Sequence, residues 1–161
     1  MTQLPLAQTY HAAGTWTGPA KTCALTYEAR FFRRKKLTTT DGWSVIADFE
    51  QTVSLNHGDA LEAEDGQLVE ITAAAEALLA VTGDNLPRLA WHIGNRHTPC
   101  QVEATRLLIQ NDPVIAHMLD HLGATTTPVT EAFTPEGGAY GHGRTHSHDH
   151  GHSAHSHDHA H

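Results

Sequence analysis

The chain has 161 residues and a formal net charge of −8 when histidine is neutral, a length that suits one ordinary domain or two small ones. No apolar run of about eighteen residues occurs, which excludes a transmembrane helix, and the acidic balance without a recognised module argues against nucleic-acid binding. The N-terminus lacks a signal-peptide pattern and Cys23 and Cys100 form no CxxC pair, so we expect a cytoplasmic protein without a disulfide framework.

Residues 1–72 predict a small all-β domain. Residues 1–19 show no periodicity and are expected to form an arm or a first edge strand. Short β-compatible runs separated by turns follow as far as residue 71, and Thr40-Asp41-Gly42 is typical of a tight turn. The clearest strand covers residues 43–49, where apolar and polar positions alternate.

Five of the ten basic residues lie close together in this first part, at Arg30, Arg33, Arg34, Lys35 and Lys36. Such a cluster could steer a protein partner. It could equally be a solvated strand edge, whose charge prevents edge-to-edge association. The sequence leaves both interpretations open.

Residues 73–135 predict the order β-α-β-β-α-β. A strand over 76–81 precedes a helix that Asp84 or Asn85 caps and that carries Pro87 in its first turn. Strands over 100–103 and 106–109 follow, Asp112 caps a second helix, and a strand over 128–133 ends the domain. This order predicts a ferredoxin-like α+β domain.

Periodicity assigns a buried face to each predicted helix. At about 100° per residue, the first helix places these residues on one apolar face: Leu86, Leu89, Ala90, Ile93 and His97. The stripe of the second helix is Val114, Ile115, Met118, Leu119 and Leu122. His97 is therefore expected to point with the apolar side, where a histidine is more often a core residue than a ligand.

Residues 136–161 predict a disordered histidine-rich tail. Nine of the last twenty residues are histidine, and the segment has almost no apolar side chain with which to offset the entropy of ordering. Neutral imidazole binds nickel, zinc and copper. The candidate ligands of the tail are His142, His146, His148, His150, His152, His155, His157, His159 and His161.

Two motifs in order carry a family resemblance. Gly94-Asn95-Arg96-His97-x-Pro99-x-Gln101 is followed by Phe133-x-Pro135-Glu136-Gly137-Gly138-Ala139-Tyr140 and then by the histidine-rich tail. This arrangement resembles the UreE-type urease accessory proteins, the nickel metallochaperones of urease maturation, which are not enzymes.

The resemblance implies a homodimer in which His97 and its two-fold copy bind Ni(II) between the subunits. Tail histidines would assist, and Zn(II) or Cu(II) could occupy the same ligands. The implied partners are a UreG-type GTPase and the urease activation complex. Some members carry a further histidine pair where this chain has Gln110, Asn111 and Asp112, so no metal site within one subunit is expected there.

Other functions and other histidines stay open at this point. The tail alone could make the chain a nickel or zinc storage protein. A metalloenzyme is disfavoured because no HExxH motif or paired carboxylate occurs. We interpret Cys100 as a buried strand residue and His92 as exposed. His117 and His121 have a spacing that can chelate, but we interpret them as ordinary surface residues.

Overall fold

The first half of the chain forms a six-stranded sheet. A computed structural model describes residues 3–138. Its first six strands are β1 (Leu6–His11), β2 (Ala20–Leu25), β3 (Phe31–Thr38), β4 (Ser44–Ser54), β5 (Ala60–Ala63) and β6 (Leu68–Ala73). They are arranged in the order β2-β6-β5-β1-β4-β3, and a single 3-10 turn, Glu28–Arg30, precedes β3.

The second half forms a four-stranded antiparallel sheet with two helices. Its elements are β7 (Ala75–Thr82), α1 (Leu86–Asn95), β8 (Cys100–Val102), β9 (Leu107–Gln110), α2 (Pro113–His121) and β10 (Thr125–Ala132). The element order is the predicted β-α-β-β-α-β, and the strands lie in the order β10-β7-β9-β8. The fold class is α+β. Neither helix within residues 3–138 is long and apolar enough to cross a membrane.

Both helices begin where the sequence predicts. The Asn85 side chain accepts a hydrogen bond from the Arg88 N–H at 3.2 Å. The Asp112 carboxylate accepts from the Val114 N–H at 2.9 Å and from the Ile115 N–H at 3.3 Å. A proline follows each cap within the first turn, where its missing N–H costs no helical hydrogen bond.

The expectation that the N-terminal segment forms an arm or an edge strand is wrong. Strand β1 lies inside the first sheet, parallel to β4 and antiparallel to β5. Ala7 is fully buried in the core between these neighbours. A strand with so little internal alternation is ordered by pairing on both sides, which a local pattern does not reveal.

The alternation predicted for residues 43–49 is confirmed, since Val45, Ala47 and Phe49 are buried in the core of the first sheet. Strand β3 is an edge strand, and a bulge near Arg33 interrupts its pairing with β4. The bulge allows two consecutive guanidiniums, those of Arg33 and Arg34, to contact the Asp48 carboxylate at 3.3 and 2.8 Å. A charged, bulged edge resists pairing with another sheet.

Arg30 differs from the other basic residues because it is buried, with 2% of its surface exposed. Its guanidinium donates to the carbonyl oxygens of Leu25 at 2.9 Å, Leu55 at 3.2 Å and Phe133 at 2.7 Å. Phe133 follows the last strand of the second sheet, and its ring packs edge-on against Tyr27 at 5.5 Å. Arg30 therefore ties the first half of the chain to the segment that leads toward the tail.

We expect Arg30→Met to lower the free energy of unfolding by about 3 kcal/mol, because it leaves buried carbonyl groups without their charged donor. Urea denaturation measures the effect. Arg33→Met is the matched control, because the Arg33 side chain is 51% exposed, and it should change stability by less than about 0.5 kcal/mol. Equal effects of the two substitutions would contradict the structural role given to Arg30.

Candidate metal-binding site

His97 does not lie on the apolar face of α1, and that prediction is wrong. The helix ends at Asn95, and His97 follows it in a turn with φ of 54°. Its side chain is exposed, whereas Leu89 and Ile93 of the predicted face are buried. The apolar periodicity of the sequence continues to position 97, but the helix ends at Asn95, so the periodicity does not set the direction of the His97 side chain.

The backbone around His97 forms a Schellman motif. The His97 N–H donates to the Gly94 carbonyl at 2.9 Å, and the Thr98 N–H donates to the Ile93 carbonyl at 3.3 Å. These are the two reversed hydrogen bonds that satisfy the last carbonyls of a helix. Pro99 then prevents the helix from continuing. The spacing from Gly94 to Pro99 thus specifies a helix end with His97 at its left-handed position.

Helix α2 ends in the same way but with a glycine. Gly123 has φ of 81°, its N–H donates to the Asp120 carbonyl at 3.0 Å, and the Ala124 N–H donates to the Leu119 carbonyl at 2.9 Å. Among residues 3–138, His97 is the only residue other than glycine with positive φ. A side chain in this conformation costs about 1 kcal/mol relative to glycine. The position of His97 is therefore unfavourable for stability, and its imidazole is presented to solvent.

The residues that follow His97 hold the exit toward the tail. The Gln101 side-chain oxygen accepts from the Thr134 N–H at 2.8 Å, and the Gln101 amide donates to Glu103 at 2.9 Å. One residue earlier, the Cys100 carbonyl accepts from the Glu136 N–H at 2.9 Å. Strand β8 thus holds residues 134–136 close to the end of α1, so the residues of the two motifs lie near each other in the structure.

Cys100 is partly buried in β8 against the core of the second sheet. Burial, assisted by the nearby Glu136 carboxylate, raises the pKa of its thiol to about 11. The thiolate is the form that binds metal. At neutral pH Cys100 is consequently a neutral thiol, which agrees with its interpretation as a strand residue.

A cleft of about 390 Å³ lies between the end of α1 and the start of α2, and it is lined by Arg96, Thr98, Pro99, Gln110, Asp112, Val114 and Ile115. Val114 was expected in the buried stripe of α2, but it is 62% exposed. The rest of the predicted stripe is confirmed, since Ile115 and Leu119 are buried and Met118 and Leu122 are partly buried against the same core. Among the large apolar residues of 3–138, Trp91 in α1 is exposed to the same degree, at 62%.

The other sequence-predicted ligands, His142 to His161, lie outside the described residues. Within residues 3–138, no cluster of three or more histidine, cysteine or carboxylate side chains could hold a metal ion. The interpretation of His92 as exposed is wrong, because its side chain is half-buried and packs edge-on against Trp91 at a centroid distance of 5.0 Å. A metal site built on His97 therefore requires ligands from a second copy of the chain or from outside residues 3–138.

The observed features define a two-sheet α+β protein with an exposed histidine at a helix end and a histidine-rich C-terminal sequence. Models of the UreE urease accessory protein match it in two parts, the N-terminal domain over residues 4–74 and the C-terminal domain over residues 67–161. The chain belongs to the UreE urease accessory protein family. It is an accessory protein and not an enzyme.

Relatives support this assignment over most of the chain. The chain is 55% identical over 143 residues to the urease accessory protein UreE of Ruegeria pomeroyi, covering 89% of this chain and 96% of the relative. Identity to the Cereibacter sphaeroides protein of the same name is 56% over 146 residues, covering 90% and 80%. The Beijerinckia indica protein, again named UreE, is 42% identical over 138 residues, covering 83% and 80%.

We expect His97→Gly to raise the free energy of unfolding by about 0.5 to 1 kcal/mol, because glycine adopts φ of 54° without steric cost. Gly123→Ala should lower it by about 1 kcal/mol, although a Cβ there would meet no atom within 4 Å. Urea denaturation of both variants measures these changes.

Gly94→Ala is the control for the substitution of glycine itself. Gly94 is inside α1 and a Cβ there also has open space, so alanine should stabilise the helix. Stabilisation by both alanine substitutions, or destabilisation by His97→Gly, would contradict the left-handed helix ends.

Proposed function

We propose that this chain is a nickel metallochaperone that delivers Ni(II) for assembly of the urease metallocentre, with the metal held between two subunits by His97. The observation that carries the proposal is the histidine at the end of α1, where a glycine would be more stable and where α2 has one. A residue that costs stability and exposes an imidazole is better explained by ligand binding than by folding. Membership of a urease accessory family supplies the destination of the metal.

The proposed homodimer supplies the second ligand that a metal site at His97 needs. One imidazole cannot hold a metal selectively, but a two-fold axis through the site brings a second, identical nitrogen. Trp91 on α1 is 62% exposed, and a large exposed aromatic residue is typical of an interface core. In this proposal residues 73–135 form a ferredoxin-like domain for metal binding and dimerisation, and residues 1–72 form a β-rich N-terminal domain.

The tail can contribute ligands because the residues that lead to it, 134–136, lie beside β8. Glu136 is hydrogen-bonded to Cys100, and at most about 11 Å of chain separates Cys100 from His97. From Glu136 to His142 an extended chain spans up to about 20 Å. His142, the first histidine of the tail, is therefore within reach of the interfacial site. The later histidines, as far as His161, add capacity for binding further metal ions.

The imidazole ligands can bind several metals, so the metal that the protein carries depends on supply and on the receiving partners. Imidazole binds Ni(II), Zn(II) and Cu(II), and Cu(II) binds most tightly by the general order of divalent affinities. Selection of nickel therefore comes from supply and from the receiving partners, a UreG-type GTPase and the urease activation complex in the cytoplasm. Protonation of the histidines competes with metal and provides a route to release.

Storage is the second candidate, and the composition of the tail favours it. Nine histidines in the last twenty residues could buffer nickel or zinc without any defined site in the body of the protein. Storage and delivery differ in what they require of His97. A buffer needs only the tail, whereas a delivery site needs His97 and its two-fold copy.

We expect His97→Asn to weaken the tightest Ni(II) site of the full-length protein by at least about 100-fold, since each subunit loses a defined nitrogen ligand. Asparagine tolerates the left-handed conformation, so the helix end stays intact. Equilibrium dialysis against buffered free Ni(II), with His11→Asn in the first sheet as the control, measures the loss. An unchanged tightest site in His97→Asn would favour storage over delivery.

We expect His142→Ala to weaken the interfacial site more than His161→Ala does, because the chain length from Glu136 limits which histidines reach it. The same dialysis, combined with light scattering to follow dimerisation, compares the two variants. Equal effects would mean that the tail histidines act interchangeably, as a buffer would.

A further inference from the structure

His117 and His121 lie on the outer face of α2, away from the features used so far. Both side chains are exposed, and the helix that carries them is continuous from Pro113 to His121. Within residues 3–138 neither ring has a hydrogen-bond or ion-pair partner, so no folding role accounts for them. The core contacts of α2 are made instead by Ile115 and Leu119.

The spacing of this pair is suited to chelation. Residues four apart on a helix stand one above the other with Cβ atoms about 6 Å apart, so two imidazoles can direct one nitrogen each to a common point. We propose that His117 and His121 form a second metal site, which binds a divalent first-row cation of the Zn(II), Ni(II) and Cu(II) class through two imidazole nitrogens. Water fills the remaining coordination positions.

The end of the helix on which the pair lies favours a cation. His121 is the last residue of α2, and the C-terminal end of the helix dipole carries about half a negative charge. The exposed Asp120, which directly precedes His121, adds a carboxylate. Both contributions lower the free energy of a dication at this end, and the dipole contribution would have the opposite sign at the start of a helix.

The proposed site is distinct from His97 because the two helices run in opposite directions. The cleft beside His97 is shared by the end of α1 and the start of α2. A second cleft of about 230 Å³ joins the start of α1, at Asn85, to the end of α2, at Leu122. The histidine pair therefore lies toward the opposite end of the helical layer, and the proposal does not depend on the interfacial nickel site.

Two protein ligands make this a site of moderate affinity and fast exchange. The chelate effect nevertheless separates it from two independent surface histidines, because loss of either ring weakens metal binding at the other. That mutual dependence is the property to measure.

The test uses full-length protein and Zn(II), which is diamagnetic, at free concentrations fixed by a metal buffer so that uptake by the tail does not alter them. Ring proton shifts of His117 and His121 are followed by NMR in the wild type, in His117→Gln and in His121→Gln. The ring that remains in each glutamine variant is the single-ring reference. Backbone amide spectra establish that the variants remain folded.

In the wild type we expect the two rings to shift with one common midpoint of free Zn(II) concentration. Each glutamine substitution should raise the midpoint of the remaining ring by at least about tenfold, because the chelate is lost. Different midpoints for the two rings in the wild type, or a ring whose midpoint is unchanged by loss of its neighbour, would overturn the proposal. His97→Asn should leave the pair unaffected, which separates this result from failure of the interfacial site.

Discussion

The two reversed hydrogen bonds that end α1 are the constraint on which the proposed site depends. They close on the carbonyls of Ile93 and Gly94, and they can form only if the residue between the helix and Thr98 is left-handed. His97 is that residue, so the direction of its Cα–Cβ bond is set by the backbone of the helix end and not by the conformational preference of histidine. An imidazole whose backbone is held by a rigid helix end is better placed to meet a two-fold copy than an imidazole on a flexible loop.

A second set of contacts relates this helix end to the rest of the chain. Gln101 holds Thr134, and Cys100 holds Glu136. Arg30, buried in the first half of the chain, bonds to the carbonyl of Phe133. The segment that leads to the tail is thus anchored from both sheets. The start of the tail is consequently held close to His97, and chain length then decides which of its histidines can act there.

The two helices of the second sheet end in one local motif at different cost to stability. Both end in a Schellman motif, but α2 uses Gly123, which has no steric cost, and α1 uses His97. Each helix also carries exposed side chains that the core does not use, Trp91 on α1 and Val114 on α2. Val114 lines the cleft that the residues on either side of His97 also line, and the disagreement between local preference and fold at His97 supports the proposed metal site.

Local chemistry in the sequence determined the elements and the identity of the candidate ligand. The cap at Asp112 and the alternation over residues 43–49 depend on near neighbours, and the sequence predicted both correctly. For α1 the sequence left Asp84 and Asn85 open as caps, and the structure selects Asn85. The motif around His97 singled out the same residue that the helix end presents to solvent.

Tertiary structure decided the positions that depend on distant partners. Strand β1 is central because β4 and β5 pair with it, and Arg30 is buried because three distant carbonyls accept its protons. Neither fact has a local signal. The direction of His97 also required the structure, because periodicity continues in the sequence after the helix itself has ended. Whether a side chain follows the helical face is settled by where the last backbone hydrogen bonds close, at Ile93 and Gly94.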